Sequence, residues 1–180
     1  MLQLKHRLIL ILIITTVLGF TSLKAQAADW TLPNSKVTPG AINPDVNQNN
    51  IKDNICKSGW TATIRPAVSY TNKLKFSQMS KEYKNLVQIF GSDPTKYEED
   101  HLISLQLGGS PTDPKNLWPQ PYDGNNARKK DVVETKLKIL VCSGKIRLSV
   151  AQKAIAKNWV LAYNKYVNSL DANLSVDQNN

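Results

Sequence analysis

The chain has 180 residues, of which 23 are basic and 14 acidic, so its formal net charge is +9. That length corresponds to one domain, large enough to bury a core. Its two cysteines do not form a Cys-x-x-Cys pair, which argues against a redox motif, and two thiolates alone make a poor zinc site.

The first 27 residues have the three parts of a secretory signal. Lys5 and Arg7 form a positive start, an apolar run follows over Leu8–Phe20, and small residues at Ala25–Ala27 offer a cleavage site. An uncleaved membrane anchor is the alternative, but the run is shorter than the roughly 20 residues that a bilayer core needs. We predict cleavage after residue 27. Three basic residues are lost with the leader, so the mature chain has a formal net charge of +6. The product is expected to be exported to the periplasm or the medium.

Cys56 and Cys142 both remain after this cleavage. In an exported protein such a pair is more often bridged than free, so we predict a structural disulfide between them. The chain-entropy model gives a closed loop of this size a contribution of roughly 4–5 kcal/mol to stability.

Positive charge is concentrated in the C-terminal half. Residues 126–165 contain ten Lys or Arg residues against only Asp131 and Glu134, while the rest of the mature chain is slightly negative. This asymmetry indicates a polyanionic partner. The alternative is a pair of helices with solvated lysine faces.

The first predicted elements precede the histidine-containing segment. Residues 28–55 are rich in Asn and Pro and predict an extended, poorly structured arm. Alternating β-formers over Trp60–Arg65 predict a short strand that ends at Pro66. Apolar residues at helical spacing predict a helix over Lys75–Phe90, closed by Gly91.

The next predicted elements surround a glycine pair. Tyr97–Leu107 predicts a strand that bends into a second extended piece before Gly108 and Gly109, and residues 110–115 predict a loop. Asn116–Trp118 predicts a second short strand, which the following prolines stop.

Two helices are predicted after the second strand. Asn125 or Asn126 caps the first, which runs to about Val141. Ser149 and Gln152 form a capping box for the second, whose apolar stripe belongs to the core.

The segment YEEDHLISLQLGGSPTDPKNLWPQP contains the one histidine that remains after leader cleavage. His101 follows Asp100 directly, Asn116 comes fifteen residues later, and Asn125 nine after that. A histidine titrating near neutral pH suits the activation of water, and the Asp100 carboxylate and Asn125 amide suit Mg²⁺. Because neighbours on a regular strand point to opposite faces, a distorted strand end is needed to bring Asp100 and His101 into one site.

In this order of residues the chain resembles the HNH, or ββα-metal finger (His-Me finger), endonucleases, which include colicin DNases and many secreted bacterial nucleases. A wider resemblance to exported bacterial proteins with this domain runs from Thr38-Pro39-Gly40 through YEEDHLISLQLGG and NLWPQP to the last helix. The resemblance implies an α+β fold: a small antiparallel sheet with a ββα-metal finger and C-terminal helices. We assign this domain to residues 56–170 and a polar tail to residues 171–180.

The same resemblance implies roles for four residues. His101 is the general base, Asp100 a metal ligand, and Asn116 the residue that pins the loop and orients the histidine. Asn125 is the second metal ligand, with its neighbour Asn126 as the alternative. Many members of the family have histidine at this last position, and asparagine there favours Mg²⁺ or Mn²⁺ over Zn²⁺.

Two further side chains are candidate site residues. Glu98 shares strand parity with Asp100 and is a candidate to support the metal. Arg128 lies three residues after Asn125, on the same helix face, and is a candidate to clamp the cleaved phosphate. The alternative for Arg128 is an ordinary surface arginine.

Other nearby side chains are assigned to the surroundings of the site. Glu99 is expected to be solvated, and Lys129 and Lys130 to contact phosphates. Arg65 is a candidate to line the groove, whereas Trp118 is expected to pack in the core.

We therefore expect a metal-dependent endonuclease in which His101 takes a proton from water and the hydroxide attacks phosphorus in line. The resemblance implies 5′ phosphate and 3′ hydroxyl products. Since no step requires a 2′ hydroxyl, DNA and RNA are both expected substrates, cut with little sequence specificity. We expect a monomer with no stable membrane association after leader cleavage. The sequence does not identify an inhibitor protein.

Two other functions compete with this one. A non-catalytic, basic nucleic-acid-binding protein with a degenerate HNH site predicts salt-sensitive binding that needs neither His101 nor metal. A glycosidase would use acids from the run Glu98–Asp100. Adjacent acids on one strand do not readily flank a sugar bond at the separation that this chemistry needs.

Overall fold

A computed structural model describes residues 32–123 and 127–169. The predicted leader, Asn125, Asn126 and the polar tail therefore lie outside the described residues. The described helices and strands follow one another in this order: α1 Trp60–Ile64, α2 Val68–Ser80, α3 Lys84–Phe90, β1 Tyr97–His101, β2 Leu117–Pro121, α4 Ala127–Cys142 and α5 Leu148–Tyr163. Helices with a small antiparallel sheet confirm the predicted α+β class.

The sheet consists of β1 and β2, which pair antiparallel with Tyr97 opposite Pro121 and His101 opposite Leu117. The prediction that prolines stop the second strand was wrong, because β2 runs through Pro119. In a two-stranded sheet each strand has an edge without a ladder partner, and proline is tolerated where its nitrogen faces that edge.

Two predicted elements before the sheet differ from the structure. The predicted strand over Trp60–Arg65 is a single short helix, α1, which begins after Gly59 at φ 78°. Periodicity over so few residues does not separate a strand from a helix turn. The predicted helix over Lys75–Phe90 is two helices, because Lys81 leaves helical geometry at φ −123° and ψ −76°.

The described part of the predicted arm is packed against the domain. Its backbone bonds to the segment between the strands: Gly40 N–H donates to the Lys115 carbonyl at 2.9 Å, and Asn43 N–H to the Gly108 carbonyl at 2.8 Å. Val46 is buried in the core. A poorly structured segment was therefore the wrong expectation for residues 32–54, whose asparagines form local turns around a few buried apolar side chains.

Two apolar cores lie in the domain. Helices α4 and α5 form the larger one through Val133, Leu137, Ile155 and Trp159. The second joins α2 and α3 to the sheet through Met79, Tyr83, Leu86, Tyr97, Leu102 and Trp118. Tyr97 of β1 and Trp118 of β2 lie in the second core, and Lys130 of α4 contacts the end of β1.

The predicted disulfide between Cys56 and Cys142 is confirmed, with a Cα–Cα distance of 5.6 Å. It joins the segment before α1 to the end of α4. No helix in the described part of the chain is long and apolar enough to cross a bilayer.

The start of α5 departs from the predicted capping box. Arg147 is the residue before the helix, and Ser149 lies inside it. The Gln152 side chain instead donates to the Leu107 carbonyl at 2.9 Å. The Ser-x-x-Gln pattern was misread because Gln152 has a tertiary partner that sequence spacing does not reveal.

Candidate active site

His101 is the last residue of β1 and is 6% exposed. Its Nε2 lies 2.9 Å from the Pro111 carbonyl oxygen. A carbonyl only accepts hydrogen bonds, so Nε2 carries a proton and donates it, and in the neutral ring Nδ1 is the basic nitrogen. Burial lowers the pKa of His101 and outweighs the Pro111 hydrogen bond and the charge of Asp100, which both raise it. The ring is therefore neutral at pH 7.

Asn116 lies at the end of a 3₁₀ turn, immediately before β2, and is fully buried. Its amide oxygen accepts from Ile103 N–H at 2.9 Å, and its amide nitrogen donates to the Ile103 and Ser110 carbonyls at 3.0 and 2.9 Å. Ser110 directly precedes Pro111, whose carbonyl faces His101. Asn116 thus fixes the loop that fixes the imidazole, without touching the ring in these contacts.

Asp100, His101 and Glu98 all line one cleft of about 200 Å³. The strand end thus brings the adjacent Asp100 and His101 to the same space. The other lining side chains come from α1, from the loop after β1 and from α4; they are Thr61, Arg65, Ser104, Leu105, Gln106, Asp131 and Glu134.

Acidic side chains are crowded along this cleft. Burial raises the pKa of Glu98, and the charges of Asp100 and Asp131 raise it further. Burial also raises the pKa of Asp131, again with a contribution from Asp100. Lys130 and Arg128 lower the pKa of both carboxyls without cancelling the rise, so the acidic cleft still favours a bound cation.

Lys130 lies beneath the cleft and is 1% exposed. Its Nζ is 2.7 Å from Asp100 Oδ2 and 2.7 Å from the His101 carbonyl oxygen, and it also contacts Glu134 Oε1. Burial alone would lower the pKa of Lys130, but Asp100 and Glu134 outweigh burial and raise it. The prediction that Lys130 contacts phosphates was therefore wrong, because its ammonium is enclosed by protein.

Glu99 lines a second cleft of about 360 Å³, which Glu98, His101 and Arg65 also line. Neither of its carboxylate oxygens has a hydrogen-bond partner among the described residues. Burial, with a smaller contribution from Asp100, raises the pKa of Glu99 to about 8. The expectation of a solvated Glu99 was wrong, since the helix α2 covers this part of β1.

The arginines near the site occupy different positions. Arg65 lines both clefts, as expected for a groove residue. The Arg128 side chain is 80% exposed, lies 3.9 Å from Asp131 Oδ2 and is not among the side chains lining either cleft. Trp118 is fully buried, as predicted.

Sequence reasoning missed Asp131, Glu134 and the role of Lys130. One signal was available in the helical spacing: Lys130 and Glu134 are four residues apart and continue the stripe that contains Leu137 and Val141. Charged residues at core positions of a helix are paired when buried, and here the partner is Asp100. Gln106, which donates to Glu134 Oε2 at 3.3 Å, had no comparable signal.

The cleft offers oxygen donors of the kind that divalent metals bind. Glu98 and Asp100 supply carboxylate oxygens to one polar cleft, and oxygen donors suit Mg²⁺ or Mn²⁺. Among the described residues, no group of three His, Cys, Asp or Glu side chains is arranged to hold a metal ion. Asn125, the other predicted ligand, lies outside the described residues. The carboxylates therefore fit a hard cation that takes its remaining ligands from elsewhere.

Comparisons with protein-family models, with curated proteins and with solved structures find no match to this chain.

Proposed function

We propose that the protein is a metal-dependent endonuclease that hydrolyses phosphodiester bonds, with His101 as the general base. The observation that carries the proposal is the hydrogen bond from His101 Nε2 to the Pro111 carbonyl. It gives the ring a fixed direction and makes Nδ1 the basic nitrogen, in a cleft shared with four acidic side chains and Arg65. The order β1, β2, α4 is also the order that a ββα-metal finger requires.

The proposed reaction begins with removal of a proton from water by His101. A neutral imidazole is needed, and the lowered pKa of His101 keeps the ring neutral at pH 7. Hydroxide then attacks phosphorus in line, the bond to the 3′ oxygen breaks, and that oxygen takes a proton from solvent water, so that 5′ phosphate and 3′ hydroxyl ends result. Asn116 keeps the base in place through the loop that carries Pro111.

Asp100 is the side chain we propose as a metal ligand, together with Asn125 and with Glu98 in support. Bound Mg²⁺ or Mn²⁺ would supply positive charge at the phosphate and leaving oxygen. A zinc site is less well matched, because the described donors are hard oxygens without a cysteine.

Arg65 is well placed to contact the substrate, because it lines both of the clefts that His101 lines. This position supports a role in holding the phosphate or its neighbour. Arg128 is proposed for the same task at the outer rim, where its side chain extends into solvent. The ten basic residues in 126–165 support electrostatic attraction of DNA and RNA without base recognition.

The proposal places the mature protein outside the cytoplasm. The Cys56–Cys142 bridge is compatible with export, because disulfides persist in oxidising compartments. We propose that it acts there as a monomer, in the periplasm or the medium.

The test uses protein exported by a bacterial host and His101→Ala purified in parallel. Plasmid DNA and a structured RNA are incubated with Mg²⁺, with Mn²⁺ and with EDTA. We expect cleavage by wild type with metal, and none with EDTA or with His101→Ala. Lys136→Met, an exposed lysine of α4, controls for lost positive charge. Intact substrates that are nevertheless bound by wild type would support the non-catalytic alternative.

A further inference from the structure

The buried Lys130 ammonium has three oxygen partners, and two of them belong to the proposed site. One is the carboxylate of Asp100 and the other is the backbone carbonyl of His101, each at 2.7 Å. Glu134 is the third. A buried ammonium is tolerated only where such partners surround it, so its position is tightly specified.

This contact accounts for the geometry of the strand end. Neighbouring side chains on a regular strand diverge, yet Asp100 and His101 line one cleft. Lys130 holds the side chain of the first and the backbone of the second through a single nitrogen atom. Movement of Lys130 would therefore displace both groups together.

The same contact affects the charge that Asp100 offers to a metal. One of its oxygens already faces an ammonium, so a cation bound by Asp100 must lie close to another positive charge. Repulsion between like charges is strong in a partly buried site. Glu134 shares the Lys130 ammonium with Asp100, because Lys130 contacts one of its oxygens while Gln106 donates to the other.

We propose that Lys130 is a positioning residue that fixes Asp100 and His101 and weakens the binding of divalent cations in the absence of substrate. This inference rests on the proposed nuclease function. A substrate phosphate adds negative charge that offsets Lys130, so metal and substrate bind with positive coupling. The ion then arrives with the strand that is to be cut.

A purely structural role for Lys130 predicts a different outcome. Loss of a merely structural contact would disorder the site, so that metal affinity and cleavage fall together. If Lys130 has the proposed role, replacing it removes both the charge that repels the cation and the contact that positions His101. Metal affinity should then rise while cleavage falls.

The experiment compares the exported wild type with Lys130→Met, Glu134→Gln and the control Lys136→Met. Mn²⁺ affinity without substrate is measured by electron paramagnetic resonance. The rate of plasmid cleavage is measured at saturating Mn²⁺, and folding is checked by circular dichroism. We expect Lys130→Met to bind Mn²⁺ about tenfold more tightly and to cleave at least about tenfold more slowly. Glu134→Gln should bind Mn²⁺ several-fold more weakly, and Lys136→Met should stay within about twofold of wild type.

Each result decides between the two roles. Weaker Mn²⁺ binding by folded Lys130→Met, or unchanged cleavage, overturns the inference while the nuclease proposal stands. If Lys130→Met does not fold, Glu134→Gln decides: weaker Mn²⁺ binding supports the inference and unchanged binding overturns it. Wild type that neither binds Mn²⁺ nor cleaves overturns the nuclease proposal and this inference with it.

Discussion

Asn116 and Ile103 are joined by a two-way hydrogen bond between one side chain and one backbone residue. The Asn116 amide oxygen accepts from Ile103 N–H at 2.9 Å, and its amide nitrogen donates to the Ile103 carbonyl at 3.0 Å. The same nitrogen donates to the Ser110 carbonyl. Ile103 and Ser110, both in the segment between β1 and β2, are thus tied to one buried amide, and His101 depends on that segment for its partner at Pro111.

Asn116→Ala should destabilise the protein and abolish its proposed activity. The substitution leaves buried groups of Ile103 and Ser110 without partners, each at a cost of about 1–3 kcal/mol. We expect the free energy of unfolding, measured by urea denaturation, to fall by about 3 kcal/mol or more. Asn85→Ala, an exposed asparagine of α3, is the control and should change little. A fall below about 1 kcal/mol for Asn116→Ala would contradict the assigned hydrogen bonds.

Gly109→Ala should be more damaging than other glycine substitutions. A Cβ at this position would lie 1.7 Å from the Ile103 carbonyl oxygen and 2.8 Å from Asn116 Nδ2. Backbone atoms cannot give way as flexible side chains do, so the loop must move. Gly59→Ala is the comparison: its φ is 78° but a Cβ there meets nothing within 4 Å, so it isolates the backbone cost of about 1 kcal/mol. Equal losses of melting temperature in the two variants would refute the steric argument.

Removal of the Cys56–Cys142 bridge should lower stability substantially. The two residues are 86 apart in sequence, and the chain-entropy model gives a loop of that size about 4–5 kcal/mol. We expect the double variant Cys56→Ser/Cys142→Ser to unfold at much lower urea concentration than wild type, and reduced wild type to match it. Such dependence would keep unexported chains inactive in a reducing cytoplasm. A double variant as stable and as active as wild type would contradict this dependence on the disulfide.

The sequence predicted the small sheet and the two C-terminal helices well, because their signals are local. Val133 and Leu137 repeat at helical spacing, and both strands begin within one residue of where they were predicted. The predicted second extended piece was wrong, because Leu105–Leu107 form a 3₁₀ turn. The sequence did not predict the break between α2 and α3 at Lys81 or the continuation of β2 through Pro119. Both depend on what packs beside the backbone, which local propensity does not contain.

The site was only partly predictable for a related reason. Asp100, His101 and Asn116 could be selected from residue type and spacing, and the fold places them around one loop. Lys130 was misassigned, because a lysine next to Lys129 in a basic helix resembles a solvent-facing charge. Only the tertiary approach of Asp100 shows why this lysine is buried. Glu99 was misjudged in the same way, since its covering helix is distant in sequence.

The pH dependence of cleavage should follow the lowered pKa of His101. Burial keeps this pKa below its ordinary value of 6.5, although the hydrogen bond to Pro111 and the charge of Asp100 raise it in part. Cleavage needs the neutral ring, so the acid limb of kcat/KM should have its midpoint below 6.5. Stability changes with pH in the same direction. The contribution of the neutral His101 ring to the free energy of unfolding is complete above pH 6.5 and is lost as pH falls toward the folded-state pKa.

That prediction is checked by a pH–rate profile at saturating metal and by nuclear magnetic resonance titration of the His101 ring protons. His101→Gln identifies the signal and serves as the stability control, because glutamine does not titrate. A ring that titrates above pH 6.5 would show that nearby carboxylates outweigh burial.

Glu99→Gln should stabilise the protein at alkaline pH and leave its stability at acid pH nearly unchanged. Burial, aided by Asp100, raises the folded-state pKa of Glu99 from 4.5 to about 8. The contribution of the neutral carboxyl is therefore complete below pH 4.5 and is lost as pH rises through about 8. Glutamine mimics the neutral form at every pH, so the gain near pH 8 should reach a few kcal/mol at most.

The measurement is the free energy of unfolding of wild type and Glu99→Gln from urea titrations at a series of pH values. Glu82→Gln, an exposed glutamate before α3, removes the same formal charge and should show no such pH dependence. The two stability curves should diverge only as pH rises from 4.5 toward 8, because the unfolded wild type loses its proton in that interval while the folded protein retains it. Parallel curves would mean that Glu99 is ionised in the folded protein, with a partner that stabilises its charge.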